Sequence, residues 1–445
     1  MDSYKVIGRR TPRVDGVKQV TGQTEFVADM YLPHLLHAKV LLSSEHHARI
    51  LDIDTSAAER LPGVKGIITW RDVPYNRFSA DSPADQPVLA EGKVRYKGEP
   101  VAVIAAETEE IAMAARDLIK VKYERLDAVF DPREAMKDGA PIIHEEGQGI
   151  WARGNVIINH FGNTTLTTRW GDVERGFADS DLVLEETYAT SAQKTAPIEN
   201  HVSMARPEGS DKLTIWTSYQ MVFSGSPMCA RILKMPQSRI RLIAPAVGGG
   251  FGGKNDLTWE PMVGLLALKT NRPVRLTVTA EEDFMYATTK HQQYITIKTG
   301  VKKDGRIMAR YVKLLTDAGA YRTFGVFITM KGTYLGAGPY RIANVWIDGT
   351  VVYTNKQPGG SFRGYGCSQP TFAYESHTDM LAERLGMDPM EFRLRNCFAE
   401  GDRIPTGQAL RGVGIRAVYE KLREISGWDE KKRDGERERP DRFGG

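Results

Sequence analysis

The chain has 445 residues, 41% hydrophobic and 26% charged, so at about 150 residues per domain it holds apolar material for two to four domains, and its net charge of +4 gives no ground for a nucleic-acid binder. Cys229, Cys367 and Cys397 lie far apart with no CxxC pair, which argues against a zinc ribbon, an iron–sulfur site or a disulfide framework within the chain. Met1–Arg10 is polar, with no secretory core, and no apolar run is long enough for a bilayer span, so a cytoplasmic protein is expected.

In chain order, His37–Leu42 and Pro100–Ala105 read as strands among turn residues. Thr108 is placed to cap a helix whose first turn holds Glu109 and Glu110, and Ile111, Ala114, Ala115, Leu118 and Ile119 repeat at helical spacing on one face. Val121–Tyr123 follows as a strand, completing a first α/β domain over residues 1–130. Residues 131–150 mix prolines, glycines and charges without periodicity and read as a linker. A second α/β region, 151–430, contains expected strands Leu182–Tyr188, Leu213–Ser218, Ile240–Ile243, Val274–Thr279 and Tyr294–Thr299. Helices are expected from Trp259 to Thr270, from Pro370 to Leu385 with Ser368 as cap and Gly386 as stop, and from Pro389 with Asp388 as cap. From Lys431 to the end, ten of fifteen residues are charged with both signs mixed, and 431–445 reads as a solvated tail.

The most unusual stretch is Val247-Gly248-Gly249-Gly250-Phe251-Gly252-Gly253-Lys254-Asn255. Five glycines in six residues let the backbone approach a ligand closely, and exposed N–H groups in such a loop can surround an anion or a metal-bound oxygen. Gly248-x-Gly250-x-x-Gly253 matches the dinucleotide pattern, but no acidic residue follows at the required distance, where the chain reads Lys269-Thr270-Asn271-Arg272-Pro273. Gly248 to Lys254 also matches a phosphate loop, but Asn255 stands where a magnesium-binding Ser or Thr belongs. A nucleotide-binding protein of that kind is the weaker alternative. A second glycine-rich turn, Pro358-Gly359-Gly360-Ser361-Phe362-Arg363-Gly364-Tyr365-Gly366, lies about 110 residues on, and the two turns suggest one ligand approached from two sides.

Together the turns resemble those of the molybdopterin-binding large subunit of the xanthine dehydrogenase and aldehyde oxidoreductase family, through Gly249–Lys254 and Ser361–Gly366. Gly16–Gly22 with Phe26 and Asp29, Ser44 through Ile50, Tyr96–Ala102, Asp304-Gly305 and Asp317-x-Gly319-Ala320-Tyr321 are similar to further landmarks of that family. The resemblance implies an α+β chain, with a hammerhead-like α/β domain over 1–130 and the first molybdopterin-binding domain over 151–430. It implies hydroxylation of an N-heterocycle or aldehyde, with oxygen taken from water.

Residue by residue, Thr217-Ser218-Tyr219-Gln220 is similar to the strand end whose glutamine hydrogen-bonds a molybdenum oxo ligand. The resemblance makes Gln220 and Arg363 catalytic, and assigns Gln220, Gly249, Gly250, Phe251, Gly252 and Arg363 to the cofactor. Asn255, Lys331 and Tyr365 fall at substrate positions, with Tyr365 over the ring. No side chain is implied as a direct metal ligand, because the pterin dithiolene holds the molybdenum. Asn255 replaces the glutamate of purine-oxidising members and Lys331 their arginine, so xanthine fits poorly, while Lys331 suits an anionic substrate such as a carboxylated heterocycle.

In the family the large subunit continues for some 300 residues that carry much of the pterin surface and a glutamate general base. No carboxylate of this chain matches that base. The chain is therefore expected to be one half of a split large subunit, inactive without a second molybdopterin-binding subunit carrying the glutamate. Partner subunits would hold 2Fe–2S clusters and FAD, and the pterin is expected as molybdopterin cytosine dinucleotide. A non-catalytic scaffold is the other alternative.

Overall fold

A computed structural model describes residues 4–79, 83–209 and 211–431; the expected charged tail falls, apart from Lys431, outside the described residues. These residues form two compact units, and the chain passes between them repeatedly. One unit comprises the described residues up to Ala128 with Lys194–Thr289 and Asn355–Gly360; the other comprises Val129–Gln193, Lys290–Thr354 and the described residues from Ser361 on.

The first unit is built on a mixed seven-stranded sheet. Its strands run, in spatial order, Ile240–Ile243, Lys212–Thr217, Val202–Glu208, Val274–Thr277, Leu36–Leu42, Pro100–Ala106 and Val64–Thr69. Pro100–Ala106 is buried at every position, as a strand covered on both faces must be. Glu260–Thr270 is apolar almost all round, with Pro261 through Ala267 buried, so it is a core helix. It crosses the sheet at Gly264, where a Cβ would meet Leu213 Cδ2 at 3.1 Å. Thr108 caps Glu109–Leu118 by accepting from the Ile111 N–H, as the sequence predicts. A separate three-stranded sheet joins Lys93–Val94, Ala48–Asp54 and Lys120–Arg125.

The second unit has a seven-stranded sheet whose long strands run in order Leu182–Thr190 at one edge, Gln293–Val301, Ile307–Gly319 and Asn344–Tyr353, the last two paired in parallel. Ile295, Ile297, Val312, Leu314, Val345 and Ile347 from these strands form the core under Leu381, Ala382 and Phe392 of the covering helices. Ile307–Gly319 and Asn344–Tyr353 were not expected from the sequence. Burial alternates from Asn344 to Thr350 and from Arg310 to Thr316, and it becomes continuous only at the strand ends, Thr316–Gly319 and Val351–Tyr353.

Residues 131–150, read as a linker, are packed: Pro132–Ala135 and Glu145–Gly147 are short helical turns, and Asn155 accepts from Ile143 N–H while donating to Ala135 O and Pro141 O. Ser368 is not a cap. The helix runs Ser368–Arg384 with Cys367 at the cap position and no side-chain cap bond, so Ser368 is its first helical residue. Asp388 does cap Pro389–Asn396, accepting from the Met390 and Glu391 N–H groups.

Candidate functional site

Lys212–Thr217 ends where Thr217 and Ser218 become buried and Gln220 emerges exposed. The backbone N–H of Gln220 donates to Lys254 O at 2.8 Å. Its side-chain Oε1 accepts from Gly252 N–H at 3.1 Å and Lys254 N–H at 3.3 Å. Both lone-pair directions of the amide oxygen are thus committed to the glycine loop, which leaves the Nε2 donors for a ligand.

The glycines are required for close approach. A Cβ on Gly250 would lie 2.4 Å from Gln220 Cδ and Oε1, and one on Gly253 would lie 2.1 Å from Thr195 Oγ1. Phe251 has φ +52°, a conformation that strains an aromatic residue, and its ring is about half exposed. Among the described residues, no acceptor takes the N–H of Gly249, Gly250 or Phe251. Three free amides and one carboxamide NH2 together form a donor set suited to oxo or other anionic oxygens.

Beneath the loop lies a group of ionisable side chains that the sequence reading did not assign. Glu199 Oε2 accepts from Gly248 N–H at 2.7 Å and from Lys254 Nζ at 2.8 Å, and the Lys254 side chain is 0% exposed. Burial pulls the Lys254 ammonium below its usual range, and Glu199 opposes that shift through its hydrogen bond and charge. His201 Nδ1 and Asp283 Oδ1 form a short, buried contact. Burial pushes the Asp283 carboxyl up, but the His201 hydrogen bond, with the charges of His201, Lys194 and Lys254, brings it below the usual carboxylate range. Lys194 donates to Ala287 O, and burial lowers its ammonium to about 7 against the pull of Asp283. The available signal was Glu199-Asn200-His201 standing directly before the strand Val202–Glu208.

The other predicted residues lie in the second unit. Ser361–Gly366 forms two successive turns, closed by Tyr365 N–H to Phe362 O at 2.8 Å and Cys367 N–H to Gly364 O at 2.9 Å. Tyr365 takes φ +33°, and its half-buried ring meets Phe324 edge-on at 6.0 Å between centroids. The helix Gly325–Leu335 braces this turn: a Cβ on Gly366 would lie 2.2 Å from Ile328 O, and one on Gly332 would lie 3.4 Å from Gly366 O. Lys331 stands exposed on that helix, and Arg363 is exposed at the turn. Cys367 is half-buried, not buried as a structural thiol would be; burial raises its pKa and the Lys331 charge opposes the rise. Gln220, Gly249, Gly250, Phe251, Gly252 and Asn255 therefore stand in one unit, and Lys331, Arg363 and Tyr365 in the other.

A strand-end glutamine locked under a glycine loop with free amides is a donor set suited to anionic oxygens, and comparison with known proteins says which family the chain belongs to. The family model described as "Molybdopterin cofactor-binding domain" matches residues 157–397, and that described as "Aldehyde oxidase and xanthine dehydrogenase, a/b hammerhead domain" matches 21–127. The chain belongs to the xanthine dehydrogenase and aldehyde oxidase family of molybdopterin-binding proteins. It is 40% identical over 385 residues to a probable xanthine dehydrogenase component of Bacillus subtilis, covering 86% of this chain and 50% of that protein. It is 34% identical to the "Nicotinate dehydrogenase large molybdopterin subunit" of Eubacterium barkeri, covering 95% of this chain and 96% of that one. Among solved structures, quinoline 2-oxidoreductase from Pseudomonas putida 86 superposes with a TM-score of 0.89 at 30% identity, covering 97% of this chain and 56% of that chain. The chain thus spans about half the length of the Bacillus and Pseudomonas relatives and nearly all of the Eubacterium one. Among the described residues no helix is long and apolar enough to cross a membrane.

Proposed function

We propose that this chain is the larger part of the molybdopterin-binding portion of a multi-subunit hydroxylase that oxidises an N-heterocycle or an aldehyde. The observation that carries it is Gln220, whose Oε1 is committed to two loop amides so that its Nε2 is the group left to offer. When bound, the molybdenum–pterin group supplies two-electron oxidation of carbon with oxygen from water. Gln220 Nε2 and the N–H groups of Gly249, Gly250 and Phe251, with the backbone of Gly252, would hold it; Arg363 would contribute through its backbone. Tyr365 would orient a planar ring, and Asn255 would hydrogen-bond the substrate without adding charge. Lys331 would offer positive charge to a carboxylated heterocycle.

The residue ranges 1–130, 131–150 and 151–430 stand as the proposed hammerhead domain, connecting segment and first molybdopterin-binding domain. A general-base carboxylate on a second molybdopterin-binding polypeptide completes the site in this reading, and activity requires it. Iron–sulfur and FAD subunits would carry electrons away, the pterin would be the cytosine dinucleotide, and the assembly would be cytoplasmic.

Metal and pterin analysis of the purified native complex tests the reading. One molybdenum per chain, lost in Gln220→Leu at unchanged folding, is expected; a fully assembled complex without molybdenum would identify a scaffold instead. Lys331→Met should weaken binding of a carboxylated heterocycle, and an unchanged affinity would remove that substrate class.

A further inference from the structure

One side chain grips the glycine loop at both ends. Glu199 Oε2 accepts from the N–H of Gly248, the first glycine of the loop, at 2.7 Å. The same oxygen accepts from Nζ of Lys254, the residue after the last glycine, at 2.8 Å. The Glu199 backbone adds a third contact, its N–H donating to Gly248 O at 3.3 Å. Its other carboxylate oxygen, Oε1, is buried and takes no donor among the described residues. Every hydrogen bond that Glu199 makes among them therefore goes to this loop. Gly248 is shaped for the contact, since a Cβ there would lie 2.5 Å from Glu199 Cβ.

Between the two gripped ends the backbone is contorted. Gly249, Phe251 and Gly252 take φ +100°, +52° and +93°. A left-handed aromatic residue persists only where its surroundings over-determine it. Two internal bonds close the turns, Gly253 N–H to Gly250 O at 2.8 Å and Asn255 N–H to Gly252 O at 3.1 Å. They do not fix where the turns sit in the fold; contacts to side chains outside the loop do that. Lys254 is the joint between two of these. Its ammonium is held by Glu199, while its backbone C=O accepts from Gln220 N–H at 2.8 Å and its backbone N–H donates to Gln220 Oε1 at 3.3 Å. A displacement of Lys254 thus turns the Gln220 carboxamide, and with it the direction of Nε2.

We propose that Glu199 is a positioning residue for the cofactor-facing donors. Acting through Gly248 and Lys254, one carboxylate oxygen sets where the amides of Gly249, Gly250 and Phe251 and the Nε2 of Gln220 point. This rests on the proposed function, which gives those donors to the molybdenum–pterin group, and adds the residue that aims them. A carboxylate suits the task because charge-assisted hydrogen bonds are shorter and stronger than neutral ones. Aim matters because a misplacement of about 1 Å can remove most of what a preorganised donor contributes.

The test separates aiming from stability. The native complex is purified from its source cells as wild type, Glu199→Gln and Glu199→Gln/Lys254→Met. Melting curves, molybdenum content and amide hydrogen exchange of residues 248–255 are measured on the same samples. In Glu199→Gln the amides of Gly252, Lys254 and Asn255 should exchange about tenfold faster than in the wild type, with those of Val202–Glu208 changed less than about twofold. Molybdenum content should fall by about fivefold or more at the loss of aim. The double variant strands no charge and should regain most of the melting temperature, yet keep the fast-exchanging loop and the low molybdenum. Loop protection and molybdenum that return together with the melting temperature in the double variant overturn the proposal, because stability alone then explains the loss. Exchange of the Glu199→Gln loop at the wild-type rate also overturns it. If Glu199→Gln does not accumulate as folded protein, the double variant decides by the same two readouts. If the wild-type complex holds no molybdenum, the functional reading fails, and the grip of Glu199 on the loop stands or falls on the exchange rates alone.

Discussion

Glu199→Gln isolates the device that seats the glycine loop. Lys254 Nζ is 2.8 Å from Glu199 Oε2 and its side chain is 0% exposed, so removing the carboxylate charge strips a buried ammonium of its directly bonded counter-ion and leaves only the more distant charge of Asp283. The Gly248 N–H bond can survive, because the glutamine oxygen still accepts; the lost quantity is the charge pairing. Breaking a buried pair on one side costs about 3–5 kcal/mol. For a body of 150–250 residues that is a melting temperature lower by about 6–20 °C. Replacing both partners, as in Glu199→Gln/Lys254→Met, removes the stranded charge and should recover more than half of the loss. Thermal melts of the wild type, both single variants and the double variant, at constant pH and salt, give the coupling directly. A loss under about 1 kcal/mol for Glu199→Gln, as at a surface pair, would refute the claim that this pair anchors the loop. So would a double variant no better than the single.

The remaining predictions concern neighbouring groups. Gly250→Ala should cost only about 1–2 kcal/mol, because the flexible Gln220 end can move away from the new Cβ, yet it should abolish molybdenum retention by releasing Gln220 from the Gly252 and Lys254 amides. Lys194, lowered to about 7 from 10.5, binds fewer protons folded than unfolded between those values, so the native state gains stability as pH rises from about 7 to 10.5. The gain is at most on the order of 5 kcal/mol, and Lys194→Met should flatten that rise in urea midpoints; an identical pH profile in both proteins would contradict the assignment. Lys331→Met should raise the Cys367 thiol pKa further and slow its iodoacetamide alkylation about two- to threefold at pH 8. Cys229 and Cys397, both buried, should stay unreacted in the native protein.

Local chemistry alone told much of this. The Thr108 and Asp388 caps, the buried apolar helix after the glycine loop, and the strands Leu36–Leu42, Pro100–Ala106 and Ile240–Ile243 all lie where short-range patterns put them. The two glycine turns were legible because few backbones need glycine at so many adjacent positions, and their residue order was specific enough to point to the family. What only the tertiary structure decided is why those glycines are there. Gly250 and Gly253 are small because Gln220 and Thr195, some 30 and 58 residues earlier, press against the loop (250 less 220, 253 less 195). No periodicity announces that Glu199 would reach Lys254, or that His201 would meet Asp283. Ion pairs between distant segments are set by how strands stack, and the sequence carries only their residue types.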